Sequence, residues 1–214
     1  MRPHVAVNCA MSADGKIATA ARKQTKLSGE KDAARVHRLR AECDAVLVGI
    51  GTVLEDDPKL TVKWELAALS PREQPLRVIL DTRGRTPDTA AALQQPGKTL
   101  IATGGACTKT WGVAEAFRAG KDRVDLVAVL EELSRRGVKR LLVEGGSEVI
   151  WSFLRARLVD ELKVFVASTV LGGSAAPTFA GGEGVSDLAS AVHLRLEIVT
   201  TMDGGVLLEY KVVR

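Results

Sequence analysis

The sequence is poor in the residue types that define several classes of protein. Only three of its 214 residues are cysteines, and Cys9, Cys43 and Cys107 show no C-x-x-C spacing, which argues against a disulfide framework or a zinc site. The three histidines are far apart and form no metal-binding motif. Aromatic residues make up 4% of the chain, too few for base-stacking platforms. These shortages predict a protein of a reducing compartment with no bound metal.

Charge and hydropathy exclude further classes. Thirty basic and 26 acidic residues give a net charge of +4, and the two signs are interspersed, which favours a mixed solvated surface over a nucleic-acid-binding patch. No apolar run approaches the roughly 18 residues of a membrane span, and the N-terminus lacks the pattern of a signal peptide. We therefore expect a soluble, cytoplasmic protein that binds neither nucleic acid nor membrane.

The hydrophobic pattern predicts an α/β fold. Apolar runs alternate with amphipathic segments over the first three quarters of the chain, and two β-type runs flank Asp203-Gly204-Gly205 near its end. We expect a mixed, mainly parallel sheet with helices on both faces and a C-terminal antiparallel hairpin. No linker or repeat divides the chain, so residues 1–214 are predicted to form a single domain. The predicted strands are 5–9, 44–48, 76–80, 98–102, 141–143, 161–167, 192–200 and 206–213.

A glycine turn follows the fifth predicted strand. Residues 140–154, RLLVEGGSEVIWSFL, have the pattern of a strand, a tight turn and a helix. Gly145 and Gly146 would present bare backbone amides at the start of that helix, where a phosphate is favoured. A turn needed only for close packing of strand and helix explains the segment equally well.

Other predicted strands also end in residues suited to a ligand. Gly49 and Gly51 come just after the second strand, and Thr103 follows the fourth. The third strand leads into DTRGRTP, residues 81–87, where two guanidiniums match the geometry of a terminal phosphate. The same segment is also compatible with an exposed polar loop. Because ligands collect at strand ends in α/β sheets, these features favour a nucleotide cofactor held by backbone amides and arginines.

Several familiar catalytic motifs are absent from the sequence. It has no G-x-S-x-G elbow, no Walker A motif and no G-x-G-x-x-G behind the first strand. The residues alone therefore indicate a site for a phosphate-bearing ligand, without naming the reaction.

The sequence resembles the pyrimidine reductases of riboflavin biosynthesis, whose fold is dihydrofolate-reductase-like. The similarity runs over NCAMSADGKIAT, RVHRLRAECDAVLVGIGTVLEDDPKLTV, RVILDTRGR, LLVEGGSEVIWSFL, LVDELKVFVA and GGSAAPTFAGGEG, and GIGTVLEDDPKLTV is the most specific of these. The resemblance implies an oxidoreductase that reduces the ribosyl group of its substrate to a ribityl chain with NADPH, or in some members NADH. It also implies a homodimer.

The resemblance assigns residues to cofactor and substrate. Three substrate residues keep a structural interpretation, because Ser28 is also a candidate helix N-cap, Arg40 a solvated helix residue and Leu60 a core residue; Asp57 is interpreted as a turn residue. The residues predicted to bind the cofactor are Thr52, Asp56, Asp81, Thr82, Arg83, Arg85, Thr103, Gly145, Gly146, Ser147 and Glu148. Those predicted to bind the substrate are Asn8, Ser28, Arg40, Leu60, Lys63 and Glu144.

Glu144 is the predicted catalytic residue. A carboxylate at the end of the fifth strand can hold ribose hydroxyls or assist proton movement while hydride passes from the nicotinamide to the ribose C1′. No zinc deaminase signature is present. Asn8 stands where two-domain bacterial relatives carry lysine, which resembles the archaeal and fungal branch that reduces before deamination.

Two other functions remain open from the sequence. One is a dihydrofolate-reductase-like enzyme acting on a folate or other pterin, and the other is a non-catalytic nucleotide-binding module. A pterin reductase needs a carboxylate facing the ring from an early helix, whereas Glu30 and Asp32 are expected to lie ahead of the apolar stripe of Val36, Leu39 and Cys43.

Overall fold

The structure, a computed structural model, describes residues 1–22 and 26–213. It has the predicted mixed α/β fold, with nine strands in the described residues that are mainly parallel and end in an antiparallel hairpin. The chain divides into two compact units. Unit 1 comprises Met1–His4 and Val36–Leu142, and unit 2 comprises Val5–Arg35 and Val143–Arg214.

The regular elements alternate along the chain. The strands are β1 (His4–Ser12), β2 (Ala45–Gly49), β3 (Leu76–Leu80), β4 (Thr99–Thr103), β5 (Glu115–Arg118), β6 (Arg140–Val143), β7 (Glu161–Ala167), β8 (Leu194–Met202) and β9 (Gly205–Val212). The α-helices are α1 (Glu30–Ala41), α2 (Ile50–Asp56), α3 (Trp64–Ala67), α4 (Leu126–Arg135) and α5 (Ser147–Arg155), with 3-10 turns at Ala91–Leu93 and Leu188–Ser190.

Unit 1 contains the strand order β5-β4-β3-β2-β6. Strands β2, β3, β4 and β5 run parallel, and Leu47, Val78 and Leu100 lie side by side in register. Every residue of β2 and β4 is buried, which explains why their sequences are continuous apolar runs instead of alternating patterns. Asp125 caps helix α4, because its side chain accepts from Val127 N and Ala128 N.

One buried residue of unit 1 departs from the apolar pattern. Arg77 in β3 is 0% exposed, and its guanidinium donates to Thr99 Oγ1 and to the carbonyls of residues 95, 96 and 97. Burial lowers the pKa of this guanidinium. Because all these acceptors belong to the segment that precedes and begins β4, Arg77 fastens that segment beside β3.

Unit 2 contains the strand order β1-β7-β9-β8. Strand β1 is parallel to β7, whereas β9 is antiparallel to both β7 and β8. The predicted hairpin is confirmed: Asp203 and Gly204 both have positive φ, +52° and +74°, which is the combination of a type I′ turn. Apolar side chains from β7 and β9, chiefly Phe165 and Leu207, form a buried cluster.

The hairpin turn also caps helix α1. Asp203 Oδ2 accepts from Asp32 N at 2.8 Å, and Asp203 Oδ1 accepts from Lys31 N at 3.4 Å. A Cβ on Gly29 would lie 2.5 Å from Asp203 Cγ, so only glycine permits this approach. Ser28 lies two residues before the helix, and the interpretation of Ser28 as its N-cap is therefore wrong.

Three further expectations differ from the structure. Residues 50–56, for which no helix was predicted after Gly49, form helix α2. Strand β5 was not predicted, because its sequence EAFR is short and almost entirely exposed. Asp32 was expected ahead of the buried stripe of α1, but it is 1% exposed because it has a cationic partner in Arg35.

Candidate active site

In unit 1, three groups of predicted cofactor residues follow neighbouring strands. Gly49 pairs with Leu80, and Leu80 pairs with Ala102, so β2, β3 and β4 end at one edge of their sheet. Helix α2, the segment from Asp81, and Thr103 continue from these three ends. The parallel topology thus gathers these residues at the carboxyl edge, where α/β sheets bind ligands.

Residues 81–86, which we call the arginine loop, follow β3. Asp81 and Thr86 are each 0% exposed, and Asp81 Oδ2 accepts from Thr86 N at 2.6 Å and from Thr86 Oγ1 at 2.7 Å. Between them Thr82 is half-buried, whereas Arg83 and Arg85 are exposed and have no ion-pair partner among the described residues. The bonds between Asp81 and Thr86 therefore hold the ends of the loop together, and the exposed guanidiniums of Arg83 and Arg85 are available to a ligand.

Two residues predicted to bind the cofactor, Thr103 and Asp81, are too deeply buried for their side chains to be readily accessible to a ligand. Thr103 is 1% exposed, and its Oγ1 has no hydrogen-bond partner within the described residues; the same holds for Oδ1 of Asp81. A buried oxygen without a partner is unfavourable unless a water or another donor reaches it. The placement makes Asp81 primarily a residue that organises its own loop.

Helix α2 carries the other two cofactor residues of unit 1. Thr52 and Asp56 are half-buried, and burial, followed by the charge of neighbouring Glu55, raises the pKa of Asp56. Asp57 has the structural role expected of it: it ends α2 with a positive φ of 40°, and its Oδ1 accepts from Ala91 N at 2.7 Å.

The substrate residues predicted in unit 1 differ in exposure. Arg40 is half-buried in the last turn of α1 and donates to Thr61 O at 2.9 Å, while the Lys63 side chain is exposed. Lys63 N donates to His37 Nδ1 at 3.1 Å, which fixes the start of α3 against α1. Leu60 is 2% exposed with a φ of +54°, which agrees with its interpretation as a core residue.

A separate cavity lies at the opposite edge of the unit 1 strands. It has a volume of about 680 Å³ and is lined by residues at the starts of β2 and β3, with Trp64, Arg72 and Arg136. None of the predicted site residues lines it.

In unit 2, the predicted glycine turn and helix are confirmed. Helix α5 begins at Ser147, its N-cap is Gly146 in extended conformation, and no side chain caps it. Gly145 has a φ of +119° and is joined to Gly146 by a cis peptide bond. Glu144 is half-buried directly before this turn. An α-helix start without a side-chain cap leaves its first amides available to an anion.

Two predicted cofactor residues of α5 hold the glycine-rich loop of unit 2. Ser147 Oγ donates to Thr178 O at 2.6 Å, and Glu148 Oε1 accepts from Gly182 N at 3.1 Å. Gly181 N also donates to Ser147 O at 3.2 Å. Both side chains are therefore engaged with residues 178–182.

Asn8 is placed by a short chain of charged groups. It is 7% exposed, and its Oδ1 accepts from Arg35 Nη2 at 2.7 Å. Arg35 Nε in turn donates to Asp32 Oδ1 at 2.8 Å. Because Arg35 is a donor only, it fixes the Asn8 amide with Oδ1 toward α1 and directs its Nδ2 donors elsewhere.

Comparison with known proteins shows the family of this chain. The model of the RibD C-terminal domain family matches residues 3–208. The chain belongs to this family. It is 43% identical over 217 residues to a 2,5-diamino-6-ribosylamino-4(3H)-pyrimidinone 5′-phosphate reductase from Methanothermobacter thermautotrophicus, covering 99% of each chain. It is 46% identical over 195 residues to the protein of that name from Archaeoglobus fulgidus, covering 86% of this chain and 88% of the relative.

A solved structure shows the same fold. Acinetobacter baumannii RibD, form 1, superposes with a TM-score of 0.85 at 27% identity, covering 100% of this chain and 59% of the other. As a RibD C-terminal domain protein, the chain is an oxidoreductase, a pyrimidine reductase of riboflavin biosynthesis that uses a nicotinamide cofactor. Among its described residues no helix is both long and apolar enough to cross a bilayer.

Each unit by itself offers donors suited to the phosphates and hydroxyls of a nicotinamide dinucleotide. Unit 1 offers the exposed cations Arg83 and Arg85, and unit 2 offers the uncapped start of α5 behind two glycines. These are the donor types that bind phosphate oxygens in proteins.

Sequence reasoning did not identify four residues that hold the site residues in place. These are Arg35 beside Asn8, His37 beside Lys63, Thr86 beside Asp81, and Thr178 beside Ser147. Only the Thr86 contact is local enough to have been suggested by the sequence. Asp81 and Thr86 are five residues apart, and Asp side chains in turns often accept hydrogen bonds from nearby residues.

Proposed function

We propose that this protein catalyses the NADPH-dependent reduction of the ribosyl group of 2,5-diamino-6-ribosylamino-4(3H)-pyrimidinone 5′-phosphate to the ribityl group. The observation that carries the proposal is the similarity to the Methanothermobacter thermautotrophicus reductase, which extends over 99% of both chains. The similarity therefore covers almost the whole of the sequence described here.

The cofactor residues divide by the chemistry they offer. Arg83 and Arg85 bind the phosphate that distinguishes NADPH from NADH, because their exposed guanidiniums have no competing carboxylate. The backbone at Gly145 and Gly146 binds the pyrophosphate, with the start of α5 contributing its dipole. Thr52 and Asp56 supply hydrogen bonds from α2. When bound, the cofactor supplies the hydride.

Glu144 acts on the reacting sugar. Its carboxylate accepts hydrogen bonds from the ribose hydroxyls and holds the sugar in the open-chain form, in which C1′ carries the double bond to be reduced. Reduction adds a hydride to C1′ and a proton to the atom at the other end of that double bond, so atoms and charge balance. Half-burial of Glu144 excludes some of the water that would compete for these contacts.

The remaining substrate residues bind its non-reacting parts. Asn8 directs its Nδ2 donors to the carbonyl and ring acceptors of the pyrimidine, in the orientation that Arg35 enforces. Lys63 and Arg40 provide positive charge for the 5′-phosphate. Ser28, half-buried and not required as a helix cap, is available to the substrate.

We also propose a cytoplasmic homodimer consisting of one reductase domain per subunit. Support comes from strand β8, whose Leu196, Ile198 and Val199 side chains are 51%, 50% and 56% exposed. In the part of the chain that the structure describes, β8 is the last strand of the order. Adjacent exposed apolar residues on such an edge strand are typical of a surface that pairs with another chain.

Steady-state turnover tests the proposed reaction. The purified protein is incubated with the ribosylaminopyrimidine phosphate and either NADPH or NADH, and product is identified by mass as two hydrogens heavier than substrate. We expect turnover with both cofactors and a lower KM for NADPH. Turnover of dihydrofolate, with none of the ribosylaminopyrimidine, would contradict the proposal.

A further inference from the structure

The arginine loop is fastened to a second segment, residues 104–111, which we call the support segment. Gly104 N donates to Thr82 O at 3.0 Å, near the start of the loop. At the end of the loop, Thr86 O accepts from Lys109 Nζ at 2.7 Å and from Trp111 Nε1 at 3.0 Å. Both ends of the loop are thus bonded to the same segment of unit 1.

The tip of the arginine loop also packs on the support segment. Gly84 has a φ of +70°, and a Cβ built on it would lie 2.7 Å from Cys107 Sγ and 3.1 Å from Lys109 Cβ. Only glycine allows this approach together with that backbone conformation. The loop is therefore in van der Waals contact with its support between the two arginines.

Thr86 is the residue at which these contacts converge. Its N–H and Oγ–H both donate to Asp81 Oδ2, and its carbonyl receives the two donors from Lys109 and Trp111. It is 0% exposed, and Trp111 is 5% exposed, so the bonds of Thr86 to Asp81 and Trp111 are shielded from water, while the bond from Lys109 is partly buried. A buried, fully bonded peptide group at the end of a six-residue loop leaves that loop few alternative conformations.

We infer that Thr86, supported by Trp111, is a positioning residue that sets the preference for NADPH over NADH. The inference rests on the proposed function, in which Arg83 and Arg85 bind the additional phosphate. Thr86 is buried and reaches no ligand itself. It acts by holding the loop in one conformation, so that binding of the phosphate does not have to order the backbone that carries the two guanidiniums.

The physical consequence is selective for one cofactor. A loosened arginine loop weakens the contacts that only NADPH makes, while NADH, which lacks the phosphate, loses little. A residue with a merely structural role would instead lower the thermal midpoint and affect both cofactors alike. The ratio of the two cofactor affinities therefore separates positioning from general stability.

The test compares Thr86→Val with Thr86→Ser. Valine keeps the shape of threonine but removes the Oγ–H donor to Asp81, whereas serine keeps the donor. For Thr86→Val we expect KM for NADPH to rise roughly five- to tenfold, the range for a lost bond to a buried charged group. The kcat with either cofactor and the KM for NADH should stay within about twofold of the parent. Thr86→Ser should restore the parent ratio.

Trp111→Phe provides a second variant from the other side of the loop. It preserves the packed ring and removes only the Nε1 donor to Thr86 O. We expect a rise in KM for NADPH of about threefold, with NADH unaffected. If Thr86→Val fails to fold, Trp111→Phe still tests the inference, because it removes only one hydrogen bond to Thr86.

Arg83→Ala serves as the reference for the proposed function. If it lowers the NADPH preference while Thr86→Val and Trp111→Phe leave the preference unchanged, or raise both KM values equally, the inference about Thr86 is wrong and the assignment of the loop stands. If Arg83→Ala itself leaves the preference unchanged, the assignment of the loop to the additional phosphate is wrong, and the inference falls with it.

Discussion

Arg35 Nη2 donates to Asn8 Oδ1 at 2.7 Å while Arg35 Nε pairs with Asp32, a carboxylate whose side chain is 2% exposed. Arg35 thus neutralises a buried charge and orients a predicted substrate residue at the same time. Removing one partner of a buried pair leaves the other charge uncompensated, which costs more than the pair itself contributes.

We predict that Arg35→Leu lowers the free energy of unfolding by about 3 kcal/mol, because Asp32 remains buried without its cation. Urea denaturation followed by circular dichroism measures the change. Arg38→Leu, at an exposed position of the same helix, is the control and should stay within about 0.5 kcal/mol of the parent. Equal losses in the two variants would show that the pair contributes nothing beyond the general effect of a charge on α1.

Arg83→Ala and Arg85→Ala should each raise KM for NADPH roughly tenfold and change KM for NADH by less than about twofold, since each removes one charged donor to a phosphate that NADH lacks. Steady-state kinetics at fixed ionic strength checks this. Lys139→Ala, which removes an exposed cation at the opposite edge of the unit 1 strands, is the matched control and should change neither value. If both cofactors were affected equally, the loop would serve fold stability.

Lys63→Ala and Glu144→Gln should change different kinetic constants. Lys63 binds a phosphate that does not react, so its loss weakens ground state and transition state together and raises KM for the substrate by roughly tenfold with little change in kcat. Glu144→Gln keeps the shape of the side chain but removes its charge beside the sugar, and should lower kcat by at least about tenfold. Initial rates under conditions that show a deuterium isotope effect on hydride transfer provide the measurement.

Cofactor titration and thermal melts control the Glu144 experiment. NADPH affinity and the melting temperature should remain close to the parent values in Glu144→Gln. A variant that melts much earlier and no longer binds NADPH would identify Glu144 as a support for the glycine turn, and the proposed position of the substrate would be wrong.

The protein is predicted to be a homodimer that depends on β8. Leu196→Lys combined with Val199→Lys places charge among its exposed apolar side chains and should convert the dimer to a monomer. Multi-angle light scattering at micromolar concentration measures the mass of both proteins. Val213→Lys, an exposed apolar position outside the strands, is the control and should leave the dimer intact. A parent protein with monomer mass would overturn the proposal.

Acid should destabilise unit 2 through Asp14. Its carboxylate accepts from Ser12 Oγ at 2.6 Å and from the amides of Leu171 and Gly172 at 3.0 and 2.7 Å, and these bonds, led by that from Ser12, lower its pKa from 3.8 to about 2. A depressed folded-state pKa stabilises the fold above the unfolded value of 3.8, and that stabilisation is lost as pH falls through about 2.

Asp14→Asn isolates this effect. The parent should be more stable than the variant at pH 5, and the difference should shrink steadily between about pH 4 and pH 2. Urea midpoints at half-unit pH intervals follow it. A difference that stays constant over this range would mean that the Asp14 charge does not contribute to folding.

The sequence predicted those elements whose determinants are local. Strands β3 and β7 match the structure residue for residue, because both are rich in leucine, valine, isoleucine or phenylalanine and are bounded by residues that do not continue a strand. Helix α4 was equally accessible, since Asp125 caps it and its apolar residues keep a helical period. Helix α2 was missed because Gly49 and Gly51 resemble a turn, and α2 has no side-chain cap to mark its start.

The candidate site residues were predicted from their positions at strand ends and from resemblance, but their hydrogen-bond partners were not predicted. Ser147 and Thr178 are 31 residues apart, and Asn8 and Arg35 are separated by 27. Neither distance along the chain carries a periodic signal, so these bonds become visible only when tertiary packing brings the segments together. The same is true of Arg77, whose burial in an apolar strand depends on the carbonyls of residues 95–97.

The cap that Asp203 provides to helix α1 spans 171 residues of sequence. During synthesis, the first turn of α1 leaves the ribosome long before the hairpin turn that caps it. Until Asp203 is in place, the amides of Lys31 and Asp32 lack their native acceptor. Chain segments that end before residue 203 would therefore carry an incomplete α1 whatever their helical propensity. The native start of α1, and through Arg35 the native orientation of Asn8, therefore requires a residue that is synthesised long after both.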